Sequence, residues 1–86
     1  MLHTLLVYDI TNDRIRTKIA NICQDYGLDR IQYSAFYGRM SRTHQEELMR
    51  RVRRLIKNEP ARVQLIPVGH SEWERRIEIE VSEEQT

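Results

Sequence analysis

The sequence predicts an α+β domain in which two amphipathic helices cover one face of an antiparallel sheet, with one further strand at the end of the chain. Three observations carry that reading. The 86 residues suffice for one domain, 1–86, and leave nothing from which to build a second core. Two stretches place apolar residues at helical spacing, and short apolar or alternating runs stand before, between and after them.

Leu2 to Ile10 (LHTLLVYDI) is short and apolar, interrupted by His3 and Thr4, and suits a buried strand ending near Asp9. From Asp13 to Tyr26 the positions Ile15, Ile19, Ile22, Cys23 and Tyr26 form one face of a helix, with Thr11 or Asn12 available as its cap. Gly27 follows at once, and a glycine there can take the left-handed conformation that closes a helix. Arg30 to Met40 (RIQYSAFYGRM) is rich in aromatic and β-favouring residues and reads as two strands around a tight turn or bulge. Thr43 with Glu46 fits a capping box, and Leu48, Val52, Leu55 and Ile56 then define the buried face of a second helix ending near Asn58. Arg62 to Val68 is the next strand, where Pro67, lacking an amide hydrogen, predicts a sheet edge or a bulge. Ile77, Ile79 and Val81 alternate with Glu78 and Glu80 as a last strand. The first six elements follow the ferredoxin-like βαββαβ order.

Composition narrows the function classes. With 40% apolar and 31% charged residues the chain is neither disordered nor membrane-spanning, since its longest apolar run, Leu5 to Tyr8, is far short of a span. The chain does not open on a basic segment with a cleavage site, so a cytoplasmic protein is expected. The single Cys23 excludes an internal disulfide, and its place on the apolar helix face predicts a buried structural thiol. The net charge of +1 hides an asymmetry. Residues 30–57 carry seven Arg and one Lys against two Glu, whereas residues 72–84 carry six Glu against two Arg. Arg outnumbers Lys twelve to two, and the guanidinium fork suits phosphate. Nucleic acid is therefore a plausible partner, against the plainer reading of arginines as solvated helix rims paired with nearby glutamates.

Asp9 stands where the first strand leaves the sheet, placed either to hold a metal ion or to cap the loop into the first helix. Magnesium keeps several waters and needs only one or two carboxylates beside phosphate oxygens, so a pair of Asp9 residues across a two-fold axis suffices. Arg14 and Lys18 flank one side of the first helix and Arg16 the other, near Asp9, placed either to bind nucleic-acid phosphates beside a metal or to solvate the helix rim. Arg50, Arg53, Arg54 and Lys57 form a basic stripe on the second helix, backed by Arg39 and Arg42, with Glu46 and Glu47 spaced to pair with Arg50 and Arg51. The surplus can follow a phosphate backbone without reading bases. His3, His44 and His70 show none of the short spacings of zinc sites and read as surface or packing residues. Tyr33, Phe36 and Tyr37 are able to stack bases, but within a hairpin of a small sheet they read first as core or interface aromatics.

Tyr8 to Ile10 (YDI), Asp13 to Ala20 (DRIRTKIA), Cys23 to Ser41 (CQDYGLDRIQYSAFYGRMS) and the basic second helix together resemble the CRISPR-associated Cas-two (Cas2) family. The resemblance covers about the first 58 residues by motif and the rest by pattern. It implies a ferredoxin-like homodimer whose terminal strand, here Ile77, Ile79 and Val81, crosses to the other copy's sheet. It implies that Asp9 is the catalytic and metal residue of a magnesium-dependent (or manganese-dependent) endonuclease on RNA or double-stranded DNA. It also implies a role in spacer acquisition beside the Cas-one (Cas1) integrase. Ala35 and Tyr37 depart from that family's usual hairpin. Two readings follow, a metal-dependent nuclease and a DNA-holding scaffold. A toxin-type ribonuclease of the same fold and an RNA-recognition module are the competitors, although Phe36 to Met40 does not match the aromatic motif of the latter.

Overall fold

A computed structural model of the chain describes residues 2–83. The element order is β1 (Leu2–Ile10), α1 (Asp13–Asp25), β2 (Asp29–Gln32), β3 (Ala35–Met40), α2 (Arg42–Ile56), β4 (Ala61–Val68) and α3 (His70–Glu74). The four strands form one antiparallel sheet in the order β2-β3-β1-β4, so the expected α+β, ferredoxin-like arrangement is present. β4 lies at an edge, as Pro67 required.

Alternation along β1 sorts the residues between two faces. Leu6, Tyr8 and Ile10 turn toward the helices and join Ile15, Ile19, Ile22 and Cys23 of α1, Phe36 and Met40 of β3, and Leu48 and Val52 of α2. Each fully buried aliphatic or phenyl side chain here contributes about 1.5–3 kcal/mol. Between them one polar pair is buried, the Gln45 amide donating to the Thr4 hydroxyl at 2.8 Å and tying α2 to β1. His3, Leu5, Val7 and Asp9 fall on the opposite face, which α1 and α2 leave open.

The first helix begins and ends as read. The Asn12 side chain accepts from the Ile15 amide at 3.0 Å, and Gly27 takes a φ of 80° just past the end. At Gly38 a β-carbon would stand 2.6 Å from Leu28 Cδ2 and 3.1 Å from the Gly27 carbonyl, which is why the hairpin strand is bare there. Three expectations are corrected. The cap of α2 is Ser41, whose hydroxyl accepts from the His44 amide at 3.2 Å, and not Thr43 with Glu46; the serine lies where the strand ends and reaches the first free amides. Residues 70–74, given no element by periodicity, form α3. Residues 77–82 form no strand within the chain: Ile77, Ile79 and Val81 are 92%, 90% and 80% exposed, and these residues join neither free edge of the sheet, β2 or β4.

α3 folds back across the open face. The Trp73 ring lies 3.7 Å from that of Tyr37 at an interplanar angle of 3°, with the Arg76 guanidinium 4.0 Å from the Trp73 centroid. Tyr37, one of the two departures in the hairpin, is thus the platform on which α3 rests.

Candidate nucleic-acid interface

β1 carries Asp9 to the end of the sheet, exposed and opposite Arg62 of β4 on the open face. The loop into α1 is organised without it. Asn12 caps the helix, and the Arg16 guanidinium donates to the Ile10 carbonyl at 3.0 Å and to the Thr11 carbonyl at 3.4 Å while pairing with Asp13. Among the described residues the Asp9 carboxylate has no hydrogen bond or ion pair, so the alternative of Asp9 as a loop cap is not realised. Its oxygens remain available as hard donors, which fits magnesium or manganese. They are also alone, for no three His, Cys, Asp or Glu side chains converge on a metal position among the described residues.

On the helix side of the same sheet end, Tyr8, Asp13, Arg16, Thr17, Arg30 and Tyr33 line a concavity of about 260 Å³. The Tyr33 ring, 68% exposed, has the Arg16 guanidinium 5.5 Å and the Arg30 guanidinium 6.0 Å from its centroid. Arg30 also lies over Phe36 at 5.2 Å, and burial pushes the Tyr8 hydroxyl above its ordinary range against the pull of Arg30. Periodicity could not single out Arg30, Tyr33 or Arg62; only the hairpin register and the β1–β4 register bring them to this end.

The remaining predicted cations are dispersed. Arg14 and Lys18 are exposed along α1, and Arg39 sits beside His3, about 20 Å along the sheet from Asp9 at 3.4 Å per residue. Arg42, Arg50, Arg53, Arg54 and Lys57 are exposed on α2, which packs against the face opposite Asp9. The two helical ion pairs expected within α2 do not form. Glu47 accepts from the Tyr26 hydroxyl at 2.6 Å, and Arg51 reaches Asp25 of α1 at 3.7 Å. Arg50, Arg53 and Arg54 consequently have no acidic partner among the described residues, and with Glu46 and Met49 they line a shallow depression. Cys23 is buried, and burial pushes its thiol up to about 12, so it is chemically inert as expected. His3 is also buried, a packing residue as expected, and it meets His70 of α3, a pairing that sequence spacing does not show.

A family model described as CRISPR associated protein Cas2 matches residues 1–76. The chain belongs to the Cas2 family. It is 51% identical over 74 residues to a protein of Chloroflexus aurantiacus named CRISPR-associated endoribonuclease Cas2 2, covering 85% of this chain and 87% of that one. It is 37% identical over 67 residues to a CRISPR-associated endonuclease Cas1/endonuclease Cas2 fusion of Thermoproteus tenax, covering 78% of this chain and 25% of the fusion. Among solved structures, a hypothetical protein TT1823 from Thermus thermophilus superposes with a TM-score of 0.77 at 30% identity, covering 94% of this chain and 92% of that one. The motif residues Asp9, Arg16, Arg30 and Phe36 lie within the matched Cas2 span, whereas Ile77, Ile79 and Val81 lie beyond it. Among the described residues no helix is long and apolar enough to cross a membrane.

Proposed function

We propose that this Cas2 chain works in the cytoplasm as a homodimer that holds double-stranded DNA beside the Cas1 integrase during spacer acquisition. The observation that carries the reading is the row Arg50, Arg53 and Arg54, left without acidic partners on the outer face of α2. Dimerisation doubles that row and gives a surface that follows phosphates by charge and shape. The Thermoproteus relative, with both activities named in one chain, supports Cas1 as the partner.

A second reading, metal-dependent cleavage of RNA or DNA, is favoured by the unengaged Asp9 carboxylate and by the name of the Chloroflexus relative. Asp9 from each of two copies would hold magnesium or manganese, which supplies charge screening at a phosphodiester and a more acidic water. Arg16 and Arg30 would hold the substrate phosphate at the adjoining concavity.

One comparison separates the two. Asp9→Asn, with wild type beside it, is assayed for magnesium-dependent cleavage and for support of spacer integration. Under the holding role integration survives the substitution, and its loss there would overturn that role. Under the cleavage reading the metal-dependent activity disappears with the dimer intact, and cleavage that persists in Asp9→Asn would remove Asp9 from the chemistry.

A further inference from the structure

His3 of β1 and His70 of α3, 67 positions apart, meet through a ring-to-ring hydrogen bond: His3 Nε2 lies 3.0 Å from His70 Nδ1, and a metal ion would displace the one proton between them. The back nitrogen of His3 is hydrogen-bonded, and that of His70 has a carboxylate nearby but beyond hydrogen-bond reach. His3 Nδ1 is 2.5 Å from the Tyr37 hydroxyl, and His70 Nε2 is 3.9 Å from a Glu74 carboxylate oxygen. Two adjacent ring nitrogens in front, with an oxygen group behind His3 to orient its ring and a carboxylate close to His70, resemble the arrangement of metal-binding histidines. We propose that His3 and His70 form a two-histidine site for a divalent transition-metal ion such as zinc or nickel, which ties α3 to β1.

The spacing fits the chemistry. Two nitrogens each about 2.1 Å from one ion stand about 3.0 Å apart at a right angle and about 3.4 Å apart at the tetrahedral angle. The observed separation suits the right-angled case directly, and His70, whose side chain is 71% exposed, can swing by the few tenths of an ångström that tetrahedral zinc requires. Water completes the shell, since no third ligand converges among the described residues. Imidazole nitrogen selects zinc, nickel or copper over magnesium, so this site and the oxygen donors of Asp9 take different ions.

The surroundings of His3 favour its neutral ring. Burial, then the neighbouring His70 and Arg39, lower the His3 pKa from its ordinary value, while Glu74 acts in the opposite sense. The groups facing His3 are Tyr37 and Arg39 from β3 and His70 and Glu74 from α3; β4 presents only Val68 in register. Arg39 opposes a second cation and Glu74 offsets it. Protons compete for both nitrogens, so binding weakens as pH falls through the histidine range.

The test uses the tag-free full chain, stripped with chelator and titrated calorimetrically with zinc, with thermal melts in parallel. The wild type should take up one zinc per chain in excess magnesium, with a rise in Tm. His70→Gln, a surface change that leaves the core intact, should weaken uptake by at least about tenfold. His3→Gln should do the same, while His44→Gln and Asp9→Asn should keep the wild-type affinity. No uptake by the wild type at sub-millimolar zinc would overturn the proposal. So would wild-type uptake by His70→Gln, or equal loss in Asp9→Asn.

Discussion

Lys57 closes α2 with a φ of 54° and a ψ of −112°, a conformation that costs a side chain of the L series about 1–3 kcal/mol and costs glycine little. Lys57→Gly should therefore raise stability by about 1 kcal/mol, seen as a Tm higher by about 4–8 °C; an unchanged or lower Tm would mean the ammonium stem compensates for the strain. His3 makes the opposite kind of prediction. Because its folded-state pKa lies below the ordinary 6.5, the folded protein binds fewer protons than the unfolded chain as pH passes through that value. Stability is thus complete above the ordinary histidine range and falls as pH drops through it, until the folded pKa is passed. Melts from about pH 7.5 to about pH 5.5 should show that fall, and His3→Gln should flatten it. The only tryptophan, Trp73, is stacked beside this site on Tyr37, so its emission reports the same event.

At the scale of elements, β1, α1, the β2–β3 hairpin and β4 were legible because each has its own period or stop signal: Ile15, Ile19 and Ile22 on one face, Gly27 after Tyr26, Pro67 at an edge. α3 was not legible, since its five residues HSEWE are shorter than a hydrophobic repeat and are held by Tyr37 and His3, which lie 36 and 67 positions from Trp73 and His70. Asp9, Arg16 and the α2 stripe could be named from residue type and spacing. Their separation onto two faces could not, because which face of β1 is covered depends on where both helices pack. That separation has a consequence for α2. Its row acts independently of Asp9, so reversing Arg50 and Arg54 to Glu should weaken binding to every duplex alike and reduce the dependence of log K on log salt, measured by anisotropy across salt concentrations. Four charges change in a dimer, and an unaltered affinity would move the duplex to the side of Arg14, Arg16 and Arg30.

For the whole molecule, the decisive fact is that the open face and the tail are both unfinished in one chain. Leu5, Val7, Ile31, Gln32, Ala35 and Trp73 line a cavity of about 620 Å³ over that face together with residues 76–80. Ile77 and Ile79 of that lining and Val81 after them remain almost fully exposed. Burying Ile77, Ile79 and Val81 against a second copy would contribute about 1.5–3 kcal/mol per side chain, a large share for a chain of this size. The longer free edge, β4, offers eight residues to a strand that arrives with its own alternation. Removing residues 77–86 leaves α3 and its stack on Tyr37 in place, so any effect of the truncation belongs to the tail itself. The truncated chain should sediment as a monomer, or dissociate on dilution where the full chain does not, and as a monomer its Tm should lose the dependence on protein concentration that a dimer shows. A truncated chain with the mass and melting behaviour of the full one would show that the second copy docks through the sheet face alone. Replacing Ile77 and Ile79 by Glu should reproduce the dissociation without shortening the chain, since like charges set in a row have no apolar edge to join.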